Sequence, residues 1–198
     1  DNMRAKNNIF TFNYILPFEE GRFLIEVTTF SKKNVPSYTL QSILNNTLRA
    51  YNFKKYKIIR KEYGVIPMGF INNKLINKKN NYFSAGTLGG AVRPSSGYAF
   101  LRIQEWAIKC AKLLQTNNNI ISHKKEKFFE KKLDMIFLRT LCNNLRRSPE
   151  IFFIFLSRIS TDSFIRFMSG NANIIDYLKV IFSMPKKIFL KNIKIKKK

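Results

Sequence analysis

The sequence predicts an α+β protein in which an antiparallel strand pair precedes a largely helical C-terminal half. Three observations carry this. Residues 9–18 and 22–30 alternate side chains at a period of two. Residues 81–114 read as a short extended run, a glycine-rich loop and a helix. Beyond residue 115, apolar positions recur at helical spacing between start and stop signals.

In the first strand Phe10, Phe12, Tyr14 and Leu16 share one face, and Thr11 and Asn13 the other. Glu19-Glu20-Gly21 makes a turn into the second strand. There Phe23, Ile25 and Val27 share one face, and Leu24, Glu26 and Thr28 the other, so the pair reads as a hairpin. Ser37 is a candidate cap for a helix to about residue 51, with Leu40, Ile43, Leu44 and Leu48 on its apolar side. A third strand is expected over residues 55–61, then a polar, lysine-rich loop over 72–81.

The loop Gly89-Gly90-Ala91-Val92-Arg93-Pro94-Ser95-Ser96-Gly97-Tyr98 leads into a helix over about 99–114. Glycines let a backbone approach a ligand closely, and a helix N-terminus offers N–H groups and a positive dipole end that favour phosphate. A tight turn that only needs positive φ accounts for the same glycines. Residues 115–119 read as a linker, and one helix spans roughly 124–144. Ser148-Pro149-Glu150 starts a helix to about 159, Ser160-Thr161-Asp162 starts another that stops near Gly170, and a last one spans about 173–183, before Pro185. The expected organisation is a sheet with one helix (1–70), a strand–loop–helix unit (71–115), a helical region (116–190) and a basic tail (191–198).

The chain has 198 residues, 36 of them Lys or Arg against 12 Asp or Glu, for a formal charge of +24. Such a balance makes a basic nucleic-acid-binding protein one reading. The lysines, however, are spread along the chain among Asn, Ile and Phe, with no zinc-finger spacing, RNP-type motif or heptad, so no specific nucleic-acid partner is expected. Cys110 and Cys142, without CxxC spacing, fit buried free thiols in a reducing compartment. His123 is the only histidine, which excludes a multi-His metal site; its lysine-rich surroundings predict an exposed loop residue. No apolar run reaches the ~18 residues of a spanning helix. No signal peptide is visible, and no G-x-G-x-x-G motif follows a strand. The chain is therefore expected to be the C-terminal part of a longer protein.

Several segments, in this order, resemble the C-terminal portion of bacterial flavin-dependent lycopene cyclases. They are Phe12-Asn13-Tyr14-Ile15-Leu16-Pro17-Phe18, residues 22–31 around Glu26, and Glu62-Tyr63-Gly64-Val65-Ile66-Pro67-Met68. Next comes Gly86-Thr87-Leu88-Gly89-Gly90 with its continuation to Tyr98. Phe137-Leu138-Arg139, the helix led by Pro149, Phe167-Met168-Ser169-Gly170 and the Met184-Pro185-Lys186 turn complete the set.

The resemblance implies a partial glutathione-reductase-like FAD fold, with an antiparallel substrate-binding sheet and without the N-terminal Rossmann unit, which would be a missing portion of the same protein. It implies that Gly86, Thr87, Gly89, Gly90, Pro94, Ser95, Ser96, Gly97 and Tyr98 form the second contact with FAD. Many relatives carry Asp where this chain has Thr87, which brings a hydroxyl without a charge. Glu26 falls at the family's strand carboxylate, the acid/base position; composition alone favours a strand Glu facing water. Cyclases commonly follow that Glu with a second acid, and here the position is Val27. Glu62 is a second catalytic candidate, with a salt bridge to Lys61 or Arg60 as the structural alternative.

The implied reaction is the non-redox conversion of lycopene end groups to β-carotene rings in carotenoid biosynthesis, with reduced FAD and with NAD(P)H as the indirect reductant. The substrate's solubility implies a cytoplasmic protein peripherally associated with the inner membrane surface. Another flavoenzyme of the same fold, geranylgeranyl-reductase-like or a monooxygenase, is the nearest alternative.

Overall fold

The computed structural model describes residues 2–19, 21–53, 55–70, 84–116 and 121–193. It is mixed α and β and divides into two compact units, Asp1–Val65 with Leu141–Phe153, and Ile66–Thr140 with Ile154–Lys198.

The first unit is built on a three-stranded antiparallel sheet, β1 (Arg4–Lys6), β2 (Ile9–Pro17) and β3 (Phe23–Ser31), in that spatial order. Lys6 pairs directly with Ile9, so Asn7 and Asn8 form a two-residue turn. Both have positive φ, 53° and 58°, the geometry whose twist suits a tight hairpin and which Asn tolerates. Three residues are too few for an alternation signal, so β1 was not anticipated. β2 and β3 pair from Ile9↔Ser31 to Pro17↔Phe23.

The sheet faces differ as the alternation predicts. Helix α1 (Ser37–Ala50) packs on the Asn13 side, where Asn13 Nδ2 donates to Thr47 Oγ1 at 3.2 Å. Ser37 does not cap α1: Pro36 precedes it and no side chain bonds the first turn. On the other face Phe10, Phe12 and Phe30 gather around Phe152, whose ring stacks on Phe10 at 5.1 Å. The expected third strand is absent among the described residues of 55–61. That segment has no face to bury: adjacent Ile58 and Ile59 are both exposed, and the charges between them and Glu62 need water.

The remaining elements are α2 (Phe100–Gln115), α3 (Phe128–Asn143), a 3-10 turn (Leu145–Arg147), α4 (Ser148–Arg158), α5 (Thr161–Ser169), α6 (Ile174–Ser183) and α7 (Lys186–Ile193). The core of the second unit joins Phe155, Phe167, Ala172, Tyr177, Val180 and Met184, with Leu133, Phe137 and Phe189 against them. Gly170 ends α5 in the left-handed conformation, φ 79°, and lets Asn171 N–H return to the Arg166 carbonyl at 2.9 Å. At the start of α6, Asn173 and Asp176 form a reciprocal capping box.

Helix α7 follows Pro185, beyond the last helix that the sequence predicted at 173–183. Proline lacks only an N–H that a first turn leaves unpaired, so it starts this helix: Ile188 N–H reaches the Pro185 carbonyl at 3.0 Å. Ile188 is buried and Phe189 lies 6.0 Å from Phe137. The expected loop at 72–81, most of the linker at 115–119 and the last five residues lie outside the described residues. So do 81–83 of the expected extended run; Ser84 and Ala85 are not in a strand.

Candidate functional site

In the first unit, Tyr14 stands directly opposite Glu26 in the β2–β3 register, with Leu16 opposite Leu24 beside them. Directly opposed residues share a face, so these four continue the surface begun by Phe10, Phe12 and Phe30. Phe152 covers only the phenylalanine end. Tyr14, Leu16 and Leu24 are each 42–48% exposed, and Glu26 is exposed as well. Among the described residues no side chain covers Glu26. Its carboxylate accepts a 2.7 Å hydrogen bond from Thr28 Oγ1. Burial, and secondarily the Glu26 charge, push the Tyr14 phenol above its ordinary pKa. The product is an open apolar face carrying one carboxyl and one phenol.

Glu62 is exposed and ion-paired with Arg60, the salt bridge that the sequence offered as the alternative to catalysis. Its pairing gives it no special chemistry.

In the second unit, residues 86–98 form two consecutive turns. The first returns Gly89 N–H to Ala85 O (3.2 Å), Gly90 N–H to Thr87 O (3.2 Å) and Ala91 N–H to Gly86 O (3.0 Å). A Cβ at residue 89 would stand 2.3 Å from the Ser84 carbonyl oxygen, so this glycine serves the turn's own packing. The second turn uses Arg93 O to accept from Ser96 and Gly97 N–H, while Tyr98 N–H reaches Ser96 Oγ at 3.3 Å. The amides of Ser96, Gly97 and Tyr98 thus find their partners within the turn itself. Thr87 and Leu88, at the crest of the first turn, are exposed, and their N–H groups have no partner among the described residues.

Pro94 and Ser95 are buried. Pro94 O accepts from Gly69 N–H at 3.0 Å, and Ser95 Oγ donates to Asp134 Oδ1 at 2.8 Å. That carboxylate belongs to a buried ion pair that sequence reasoning missed. Arg93, 2% exposed, bonds Asp134 Oδ1 through Nη2 at 2.9 Å, donates through Nη1 to the Phe167 carbonyl, and lies 3.8 Å over the Phe167 ring. Asp134 is 1% exposed, and desolvation raises its pKa against the opposing pull of Arg93 and Ser95. The available signal was a charge at position 134 amid apolar helical positions. Four residues earlier, buried Glu130 accepts from Tyr177 OH at 2.5 Å. Burial and then that carboxylate raise the Tyr177 pKa.

His123 is also buried, at 5% exposure, which corrects its assignment to an exposed loop. Its ring lies 4.5 Å from that of Trp106, and that apolar contact outweighs the lysines beside it in sequence. Its Nε2 accepts a 3.2 Å hydrogen bond from Gly86 N–H. Cys142 likewise is exposed, while Cys110 is buried as expected.

Residues 2–193 match a family model described as lycopene cyclase protein. No curated protein and no solved structure matches the chain. Among the described residues no helix is long and apolar enough to cross a membrane.

Proposed function

Because the chain belongs to the lycopene cyclase family, whose match spans almost its whole length, we propose that it takes part in the cyclisation of linear carotenoid end groups on the open face of the β2–β3 sheet. The observation that carries this is the juxtaposition of one carboxyl, Glu26, and its Thr28 hydrogen-bond donor with Tyr14, Leu16 and Leu24 on a largely apolar surface.

A hydrocarbon laid across these side chains displaces water from Glu26. Removing that water disfavours the charged carboxylate and favours the protonated carboxyl. The Glu26 carboxyl then donates its proton to the terminal double bond, forming a C–H bond and leaving a tertiary carbocation. The neighbouring double bond attacks that centre and closes a six-membered ring. A ring proton returns to the Glu26 carboxylate, so atoms and charge balance without net oxidation or reduction. The aromatic faces of Tyr14 and Phe12 lie on the same side of the sheet, where they stabilise positive charge.

The residues of the first glycine turn fit part of a flavin site. Thr87 and Leu88 N–H groups and the Thr87 hydroxyl are available at its crest, and a Cβ at residue 86 or 90 would meet only open space. These groups would hold ribitol or phosphate oxygens of FAD, while His123 and Arg102 hold the turn at Gly86 and Gly90. A reduced flavin, replenished through NAD(P)H, would supply an electron-rich ring, a group able to stabilise positive charge. The remaining flavin contacts would come from a Rossmann portion of the same protein.

Access to a membrane-dissolved substrate would come through α6. Its residues Ile174, Ile175, Leu178 and Phe182 form an exposed apolar stripe, with Lys179, Lys186 and Lys187 nearby in sequence. Such an edge suits the interface of the inner membrane on its cytoplasmic side, with attraction of about 1 kcal/mol per basic residue close to anionic lipid.

The test is pigment analysis of lycopene-accumulating cells expressing the protein. A cyclised product of unchanged mass is expected. A product heavier by hydrogen or oxygen would instead assign a reductase or monooxygenase of the same fold.

A further inference from the structure

His123 is the single histidine of the chain and Trp106 its single tryptophan, and their rings are in contact. The Gly86 N–H points at Nε2 of that imidazole, which can accept only while Nε2 is unprotonated, so the ring proton resides on Nδ1. The first glycine turn is therefore held at both ends by side chains: His123 takes the Gly86 N–H, and Arg102 Nη2 donates to the Gly90 carbonyl at 3.4 Å.

We propose that His123 is the positioning residue of the turn over residues 86–90, and that its protonation releases the turn, an acid-sensitive switch beneath the exposed Thr87 and Leu88. A proton on Nε2 would set an N–H against the Gly86 N–H, turning an attraction into a repulsion in a site with little water.

The surrounding charges set its direction. From α2, Arg102 faces the imidazole, with its guanidinium tied to Glu126 at 2.8 Å. Glu105, also on α2, accepts from Asn171 Nδ2 at 2.6 Å. On the histidine's own segment, Lys124 turns its ammonium to the Gly170 carbonyl at 3.3 Å. Burial first, and then Arg102, hold the His123 pKa below the ordinary 6.5, so the ring is neutral at pH 7 and the turn is latched. The folded chain therefore binds fewer protons than the unfolded one as pH falls below 6.5. The stability carried by neutral His123 is complete above that value and is lost on acidification.

The switch itself needs no ligand, and only its effect on a flavin rests on the reading above. The test follows the Gly86 amide by 15N NMR and Trp106 by its fluorescence from pH 8 to pH 5, in the natural chain and in His123→Gln. Glutamine can accept the same N–H and does not titrate. The expected result is one shared midpoint below 6.5 for both signals in the natural chain, and flat signals in the variant. A Gly86 amide that stays fixed while Trp106 reports protonation would overturn the proposal, and this comparison needs no variant. A transition that persists in His123→Gln would overturn it too.

Titration with riboflavin 5′-phosphate at pH 7.5 and 5.5 forms a separate arm. Binding at least tenfold weaker at pH 5.5 in the natural chain, and unchanged in the variant, would link the switch to the cofactor. Failure to bind at either pH would count against the flavin reading, with the Gly86 titration still deciding the switch.

Discussion

Tyr14 and Glu26 face one another across the β2–β3 ladder, on the side of the sheet opposite α1. A phenol and a carboxyl, the latter bonded by Thr28, thus meet on a surface built mostly from leucine and phenylalanine. If Glu26 carries the proton, Glu26→Gln keeps the shape and removes the acid. Turnover of lycopene is expected to fall by a factor of about 10² to 10⁴, the usual contribution of general acid–base catalysis. Glu26→Asp should recover part of it. Turnover at the original rate in a folded Glu26→Gln protein would rule out Glu26 as the acid.

The Arg93–Asp134 pair makes the second prediction. Both groups are almost wholly inaccessible, and Arg93 also bonds the Phe167 carbonyl. Arg93→Met leaves the Asp134 carboxyl buried beside Ser95 alone. Removing one partner of a buried pair costs about 3–5 kcal/mol. Arg93→Met together with Asp134→Leu should recover much of that loss, because no charge is then stranded. Chemical denaturation of the three variants measures it. A single variant as stable as the original would show the pair to be dispensable.

These two sites also mark how far the sequence could be read. Alternation gave the two faces of β2 and of β3, because a period of two is a strictly local signal, while the register that puts Glu26 opposite Tyr14 came from the structure. The stop at Gly170 was legible for the same reason. What stayed hidden depends on distant partners. Arg93 meets a carboxylate 41 residues away, and His123 meets Gly86 across 37. In sequence, His123 stands beside lysines, and nothing there announces Trp106 beneath it. The segment 55–61 failed in the opposite sense: its residues suit a strand, but no apolar face remained to hold one.

Phe10 is fully buried and is the ring on which Phe152 stacks. It fixes the covered end of the face that continues to Glu26. Phe10→Ala removes the ring from between Phe12, Phe30 and Phe152, and is expected to cost about 3–5 kcal/mol. Phe10→Leu should cost far less, because it retains most of the volume. Denaturant midpoints at unchanged slope would establish this. Equal midpoints for the alanine variant and the natural chain would mean the aromatic cluster does not contribute to the stability of its unit.

The box at the start of α6 gives a prediction whose pH dependence has a definite sign. Asn173 accepts from Asp176 N–H at 2.9 Å, and Asp176 Oδ2 accepts from Asn173 N–H at 3.1 Å. Replacing Asn173 by Ala should lower stability by about 1 kcal/mol, the usual value of an N-cap. Asp176 is additionally gripped by Arg166, at 2.7 and 2.9 Å. That hydrogen bonding, opposed by burial and helped by the Asn173 N–H, holds its carboxyl well below the ordinary 3.8. In the unfolded chain the same group takes up its proton near 3.8. Between the two values the unfolded state binds more protons, so stability must fall as pH falls. The contribution is complete above about pH 4 and is lost on acidification towards the folded value. Urea midpoints for the natural chain and Asp176→Asn should therefore differ most at pH 6 and converge below pH 3.8. A gap that stays constant down to pH 2.5 would mean that shape, and not the ionised carboxylate, is what α6 requires of residue 176.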